Sequence, residues 1–241
     1  MTAPLLSLDG LSKQFGGLKA VDDVSFDVTQ GEIVSLIGPN GAGKTTLFNL
    51  LTGQHVPTRG TLRFQGQDIG PLKPSQRARL GFGRTFQISQ TLVSMSVLEN
   101  AMIGAFLHER SSPLAADRAL EALSMVGLSD RADRRSGELT LGERRRLEVA
   151  RAIAMEPKII LLDEVMAGLN QTEVDEVLDL VHRLNAGGAT FLVIEHNLKV
   201  VRSFSRRVLV LDQGRLLAEG DAETVLSDPA VIEAYIGTSA A

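Results

Sequence analysis

Gly38-Pro39-Asn40-Gly41-Ala42-Gly43-Lys44-Thr45 fits the pattern G-x-x-x-x-G-K-[ST], the phosphate-binding P-loop. The apolar residues 32–37 before it predict a buried strand, and residues 46–51 after it predict that the chain continues as a helix. A glycine-rich loop in this position lets backbone N–H groups turn towards phosphate oxygens, and the helix N-terminus adds partial positive charge. The stretch therefore predicts a nucleotide-binding α/β fold rather than a glycine-rich turn with a chance lysine.

The last residues of the P-loop carry the most specific chemistry. Lys44 is predicted to reach the β- and γ-phosphates of the nucleotide, and the Thr45 hydroxyl is predicted to bind Mg²⁺. The backbone of the loop and of Thr46, the residue that follows it, is predicted to complete the phosphate-binding site. The residues predicted here to bind nucleotide are Gly38, Pro39, Asn40, Gly41, Ala42, Gly43, Lys44, Thr45 and Thr46.

The bulk composition limits the possible partners. The 241 residues are 44% hydrophobic and 22% charged, which is ordinary for a globular protein. The net charge of −4 argues against nucleic-acid binding through bulk positive charge, and the absence of cysteine excludes disulfides and thiolate metal sites. The sequence shows neither a signal peptide nor an apolar run near the roughly 18 residues of a membrane span. We therefore expect a cytoplasmic protein that acts at a membrane only through a partner.

Hydrophobic periodicity divides the chain into three parts. Before residue 90 the sequence predicts strands and tight turns, apart from the helix after the P-loop, whereas residues 96–155 have helical spacing. Continuous apolar runs at 158–163 and 190–194 predict buried parallel strands with an amphipathic helix between them. A closing hairpin and two short helices are predicted after residue 207. We therefore expect an α/β core of residues 1–88 and 157–241, interrupted by a helical subdomain of residues 89–156.

Two adjacent carboxylates provide the second motif. Asp163 ends the apolar run 159–162, so its carboxylate is predicted to lie at the C-terminal end of a strand, and Glu164 follows directly. One carboxylate can support Mg²⁺ while the next polarises water for attack on the γ-phosphate. An aspartate after a strand is more often a turn or helix cap, but the adjacent glutamate favours the catalytic interpretation.

With both motifs in place, the chain resembles the ATP-binding subunits of ABC transporters over about residues 5–237. The resemblance implies a P-loop NTPase with a RecA-like parallel-sheet core, an N-terminal antiparallel β subdomain and an inserted helical subdomain. It implies that Phe15 stacks on adenine, that Gln87 senses Mg²⁺ and the membrane subunit, and that His196 senses the γ-phosphate. The alternatives are a core phenylalanine, a solvated glutamine and an ordinary histidine at a strand end.

The signature loop of that family, normally L-S-G-G-Q, is matched by Leu139-Thr140-Leu141-Gly142-Glu143. The resemblance implies that Thr140, Gly142 and Glu143 serve the ATP of a facing subunit. Thr140 keeps the hydroxyl of the usual serine, whereas Leu141 adds a side chain and Glu143 adds a charge. We expect Glu143 to point away from phosphate.

Two further stretches, the loop after Glu164 and the charge run that begins in the signature loop, also support predictions. Ala167-Gly168-Leu169-Asn170 matches the loop after the catalytic glutamate, with Asn170 in place of a common aspartate, and Val165 replaces a common proline. The charge run at 143–146 predicts a solvated helix face, with packing against Glu148 or a partner as the alternative.

The resemblance also implies an activity and an assembly. The chain is expected to convert ATP and water to ADP and phosphate with Mg²⁺, and to form a head-to-tail dimer with an identical or sister ATPase subunit. Transmembrane permease subunits are expected to dock near Gln87 and the helical insertion, at the inner face of the cell membrane. A substrate-binding protein would act indirectly, and no nucleic acid is expected.

The transported substrate is less constrained by the sequence. The chain looks like the branched-chain amino acid importer group in four stretches, which are residues 15–21, 46–53, 84–87 and 231–237. Urea and amide transporters are related, and the ATPase of lipopolysaccharide export has a similar tail and an arginine-rich signature helix. A soluble ABC ATPase of DNA repair or translation is disfavoured by the single cassette, and a non-hydrolysing regulator is disfavoured by Glu164.

Overall fold

The computed structural model describes residues 3–85 and 91–237. The strands in this part of the chain are β1 (Leu6–Phe15), β2 (Leu18–Val28), β3 (Ile33–Ile37), β4 (Arg59–Phe64), β5 (Gln67–Asp68), β6 (Phe82–Arg84), β7 (Ile159–Asp163), β8 (Thr190–Ile194), β9 (Arg207–Asp212) and β10 (Arg215–Gly220). The helices are α1 (Lys44–Leu51), α2 (Pro74–Leu80), α3 (Val97–Ala105), α4 (Ser112–Met125), α5 (Leu141–Ile153), α6 (Gln171–Ala186), α7 (Leu198–Phe204), α8 (Ala222–Leu226) and α9 (Pro229–Gly237).

The chain forms two compact units, one of residues 1–77 and 190–241 and one of residues 78–189. The first unit holds an antiparallel sheet of order β2-β1-β4-β5 and a set of strands of order β10-β9-β3-β8. In that second set β3 runs parallel to β8 and β9, and β10 closes an antiparallel hairpin with β9. Every residue of β3 and β8 is buried, as expected for parallel strands covered on both faces.

The second unit contains the short parallel pair of β6 and β7 and four helices, α3, α4, α5 and α6. Helices α3 and α5 pack closely at Gly104, where a Cβ atom would lie only 2.1 Å from the carbonyl oxygen of Arg151. Ser96 and Glu99 begin α3 with a capping box. The helical character predicted for residues 96–155 is therefore found in this unit.

The fold class is confirmed as α/β with parallel strands and an N-terminal antiparallel sheet. The subdomain boundaries at residues 89 and 156 stay a prediction. Nowhere in the described ranges does a helix have both the length and the apolar character needed to cross a membrane.

Two helices were missing from the sequence prediction. Helix α2 breaks the expectation of strands and turns before residue 90, and it begins at Pro74, whose fixed φ suits a first helical position. Its buried residue is an arginine, Arg77, so it shows no apolar period to detect. Helix α7 has only 7 residues and begins at the cap Asn197, whose side chain accepts from the N–H groups of Lys199 and Val200.

Candidate functional site

The P-loop lies in the first unit, between β3 and α1, and its shape depends on glycine. At Gly38 a Cβ atom would lie 2.1 Å from the carbonyl oxygen of Leu211, and at Gly43 one would lie 2.3 Å from that of Ala20. Gly43 is also the N-cap of α1, with φ of 102°. Any larger residue at these two positions would clash with backbone, so the β9–β10 hairpin and β2 together fix the course of the loop.

Lys44 and Thr45 open helix α1. The Lys44 side chain is 8% exposed, and its ammonium donates to the carbonyls of Gly38 at 2.6 Å and Pro39 at 3.0 Å. Thr45, in the first turn of the helix, is exposed. The loop therefore presents a cation and a hydroxyl at the positive end of a helix, which suits a phosphate group.

Strand pairing brings His196 to the same end of the sheet. Strands β3 and β8 pair in parallel with Leu36 opposite Ile194. Gly38 and His196 each follow two residues after these partners, so both lie beyond the carboxyl ends of neighbouring strands. His196 is exposed there, just before the Asn197 cap of α7. This position at a strand end fits both interpretations of His196, and its role near the nucleotide phosphates stays a prediction.

Phe15 ends β1 as an exposed ring rather than a core residue. It is 43% exposed, and it contacts His55 edge to face with ring centroids 5.2 Å apart. The Lys13 ammonium lies 5.0 Å from the ring centroid and donates to the Val56 carbonyl at 2.9 Å. The core alternative is therefore wrong, and the ring remains available for the predicted stacking on adenine.

Tyr235, in α9, lies beside the P-loop and was not predicted to be near it. It packs against the apolar cluster that contains Ile37, the residue before Gly38. Burial raises the pKa of Tyr235 from its ordinary value of 10.0 to about 12, while the Gly38 backbone acts in the opposite direction. The phenol therefore stays protonated at neutral pH, and it lies near the first glycine of the loop. No motif in the sequence signals this contact.

We expect the ultraviolet titration of tyrosinate to report Tyr235 alone, because the chain contains one tyrosine and no tryptophan. The folded protein should titrate near pH 12 and the urea-unfolded protein near pH 10. The folded pKa is raised, so this group's contribution to stability is full below pH 10 and is lost as the pH rises towards 12. Tyr235→Phe should remove that part of the alkaline loss of stability. A folded midpoint near pH 10 would contradict the burial.

The acidic pair lies in the second unit, at the end of β7. Asp163 is 3% exposed, its carboxylate accepts from Arg84 at 3.0 Å, and its N–H donates to the Thr85 hydroxyl at 3.2 Å. Glu164 follows with φ of 50°, which is unusual for a residue with a side chain. Such backbone strain concentrates at functional sites. Asp163 is thus held in one orientation, and Glu164 is turned out of the line of the strand.

The signature loop begins helix α5 through a capping box. The Glu143 N–H donates to the Thr140 hydroxyl at 3.2 Å, and the Glu143 carboxylate accepts from the Thr140 N–H at 2.9 Å. The Thr140 N–H, followed by Arg131, holds the pKa of Glu143 below its ordinary value. The carboxylate is therefore occupied within its own turn, whereas the Thr140 hydroxyl still has its proton to donate.

The charge run after the signature loop is not a solvated face, which corrects the prediction. Arg145 is 6% exposed and donates to Glu148 at 3.3 Å, the packing that was the alternative. Arg144 donates to the carbonyls of Leu139 and Gly137. Arg146 donates to a backbone carbonyl of α4's C-terminal cap. These arginines instead hold the start of α5 against its surroundings, because each finds an acceptor within the second unit.

The predicted site residues divide between the two units. The first unit holds Phe15, the P-loop with Thr46, and His196, and the second holds Asp163, Glu164 and the signature loop. Gln87 lies outside the described residues. Two of the residues predicted to bind Mg²⁺, Thr45 and Asp163, each offer a hard oxygen ligand, which is the chemistry that this ion prefers.

Comparison with known families agrees with this geometry. Residues 21–167 match the family described as ABC transporter. Residues 215–241 match a second family, described as branched-chain amino acid ATP-binding cassette transporter. The chain therefore belongs to the ABC transporter family, and it is an ATPase.

Within that family the chain is similar to named proteins over nearly its whole length. It is 43% identical to the high-affinity branched-chain amino acid transport ATP-binding protein LivG of Escherichia coli, covering 98% of this chain and 99% of LivG. It is 40% identical to the corresponding protein BraF of Pseudomonas aeruginosa, again covering 98% of this chain and 99% of the relative.

Solved structures of ATP-binding cassettes are also similar to this chain. The ADP conformation of an ATP-binding cassette of an ABC transporter is similar with a TM-score of 0.90 and 36% identity, over 98% of this chain and 100% of that one. A dimeric post-hydrolysis cassette bound to ADP and Pi is similar with a TM-score of 0.80 and 28% identity, over 90% of this chain and 98% of that one.

Proposed function

We propose that this chain is the ATP-hydrolysing subunit of an importer for branched-chain or other hydrophobic amino acids. The observation that carries the proposal is the similarity to LivG and BraF, which extends over 98% of the chain. It includes the tail at residues 215–241, which matches a family described by the same substrates. In this proposal transmembrane permease subunits move the substrate, and a substrate-binding protein delivers the amino acid to them. The chain would then lie at the inner face of the cell membrane.

The proposed site divides the work among the residues described above. Phe15 stacks on adenine, the P-loop with Lys44 holds the phosphates, and Thr45 and Asp163 hold Mg²⁺. Glu164 accepts a proton from the attacking water, His196 responds to the γ-phosphate, and Gln87 responds to Mg²⁺ and the membrane subunit. The supporting observations are the accessible Phe15 ring, the Lys44 ammonium at the start of α1 and the strained backbone at Glu164.

The signature loop is proposed to serve the ATP bound by a second ATPase subunit. A related ATP-binding cassette has been solved as a dimer in a post-hydrolysis state bound to ADP and Pi, which supports assembly of two such subunits. In this chain the Thr140 hydroxyl and the N-terminal turn at Gly142 would contact the partner's ATP. The capping box keeps the Glu143 carboxylate on the Thr140 N–H, which limits its repulsion of phosphate. Two ATP molecules would thus hold a head-to-tail dimer that loosens after hydrolysis.

Uptake in the native host tests the proposed function. Deletion of the gene should lower the uptake of labelled leucine, isoleucine and valine, and the wild-type gene should restore it. The Glu164→Gln gene should not restore it, although the protein is made. Urea uptake measured in the same strains tests the alternative that the chain serves a urea transporter. Unchanged amino acid uptake in the deletion strain would overturn the assignment.

Lys44→Ala is expected to weaken ATP binding by about 100-fold, because the variant loses a charge-assisted contact to the phosphates. Calorimetric titration with a non-hydrolysable ATP analogue measures the effect. Lys73→Ala, at an exposed lysine before α2, is the matched control and should bind normally. Since Lys44 also donates to two loop carbonyls, thermal unfolding without nucleotide should accompany the titration. Unchanged affinity in a folded Lys44→Ala protein would refute the role of the lysine.

A further inference from the structure

Glu173, in the first turn of α6, contacts the signature loop from within the same unit. If Gly142 carried a Cβ atom, that atom would lie 2.6 Å from Glu173 Oε1 and 2.9 Å from the Glu173 carboxyl carbon. Real Cβ atoms do not approach other atoms so closely, so the Glu173 carboxyl group occupies the space beside Gly142. A larger residue at this position would therefore have to displace the end of the Glu173 side chain, independently of any nucleotide.

The Glu173 carboxylate is anchored rather than free. Its second oxygen, Oε2, accepts from the Asn170 N–H at 3.1 Å, and the Glu173 N–H donates to the Asn170 side chain at 3.0 Å. This reciprocal pair is the capping box that begins α6. Glu173 Oε2 is thus hydrogen-bonded to the loop that follows the acidic pair, and Oε1 lies beside Gly142 of the signature loop.

A second contact joins the same two loops. The Leu141 Cδ2 atom lies 3.3 Å from the position that a Cβ atom of Gly168 would take, and Gly168 has φ of 80°. Two of the residues that depart from the common pattern, Leu141 and Asn170, therefore act in neighbouring contacts. Leu141 packs on the loop after Glu164, and Asn170 fixes the carboxylate that packs on Gly142. These departures are parts of one interface rather than isolated substitutions.

We propose that Glu173 is a positioning residue that holds the signature turn against the loop following Glu164, and so sets how tightly the ATP-bound dimer assembles. The proposal rests on the proposed function, in which this turn contacts the ATP of the second subunit. Glu173 acts through Gly142 and is not itself a contact to nucleotide. The Glu173 carboxylate also lies at the N-terminal turn of α5. A negative charge is favourable there, so it further stabilises the contact between Glu173 and the signature turn.

The contact itself is tested by unfolding in urea without nucleotide. Gly142→Ala should lower the urea midpoint in the wild-type background, because the methyl group displaces Glu173. In the Glu173→Ala background the same substitution should raise the midpoint, since alanine has the better helix propensity once the space is open. This reversal of sign is the expected result. A fall of equal size in both backgrounds would overturn the contact.

The role in assembly is tested in the Glu164→Gln protein, which should bind ATP without hydrolysing it. Light scattering of the ATP-bound protein gives the concentration at which half of it is dimeric. Glu173→Ala should raise that concentration about tenfold, a change of about 1.4 kcal/mol, whereas ADP affinity of the monomer stays unchanged. Glu173→Gln should restore assembly, because glutamine keeps both the shape and the capping box.

Glu99→Ala is the matched control, since it breaks the capping box of α3 in the same unit without touching the signature loop. It should leave dimerisation unchanged. If Glu173→Ala also leaves it unchanged, or if Glu99→Ala weakens it equally, the positioning role is overturned. Failure of the Glu164→Gln parent to dimerise with ATP would overturn the proposed assembly and this role with it. The urea experiment would still report on the contact alone.

Discussion

Glu164→Gln should bind ATP with near-normal affinity and lose at least about 100-fold in turnover, the usual contribution of a general base. Glutamine has almost the same shape but cannot accept the proton of the attacking water. The backbone at this residue already has φ of 50°, and glutamine adds no new strain there. Release of phosphate from ATP measures turnover, and titration with ATP measures binding.

The same variant should accumulate as a dimer with ATP, because the γ-phosphate contacts that hold the two subunits are not removed. Light scattering with ATP and with ADP separates the two states. Glu121→Gln, an exposed glutamate in the same unit, is the control and should retain both turnover and the ordinary dimer population. Near-normal turnover of Glu164→Gln would exclude Glu164 as the base, whereas loss of ATP binding would point to a structural role.

Residues with a local signature could be predicted from the sequence. The P-loop was recognised because a fixed pattern stood between a buried strand and a helix, and β3 and α1 are present there. Strands β7 and β8 were visible as continuous apolar runs, which follow from burial on both faces. Asp163 is the last residue of β7 and His196 lies two residues beyond β8, so their positions near strand ends could be predicted, whereas their catalytic roles stay predictions.

Residues whose role depends on distant partners could not be predicted. Tyr235 lies beside the P-loop although the two are almost two hundred residues apart. Glu173 contacts Gly142 across about thirty residues. No local sequence pattern signals either contact. The arginines after the signature loop were expected to be solvated because charged residues usually are. Arg146 reaches a carbonyl at the end of α4, which only the fold brings near, whereas Arg144 and Arg145 find acceptors close by in the sequence.

Arg77 gives the largest expected effect on stability. Its side chain is fully buried, at 0% exposure, and its guanidinium donates to four backbone carbonyls. These belong to Leu50 and Leu51 at the end of α1, and to Gly70 and Leu72 in the loop before α2. Burial lowers the pKa of Arg77 to about 10, which still leaves it charged at neutral pH. A cation therefore caps the C-terminus of the P-loop helix, where its dipole is negative.

Arg77→Met is expected to lower the free energy of unfolding by about 4 kcal/mol, because it leaves several buried carbonyls without donors. Urea unfolding measures the change. Arg79→Met is the control on the same helix, since Arg79 is exposed and its replacement should change stability by no more than about 0.5 kcal/mol. Arg77→Lys should fall between them, because an ammonium keeps the charge but cannot span four carbonyls. Equal stability of the Arg77→Met and Arg79→Met proteins would mean that the end of α1 does not depend on this cap.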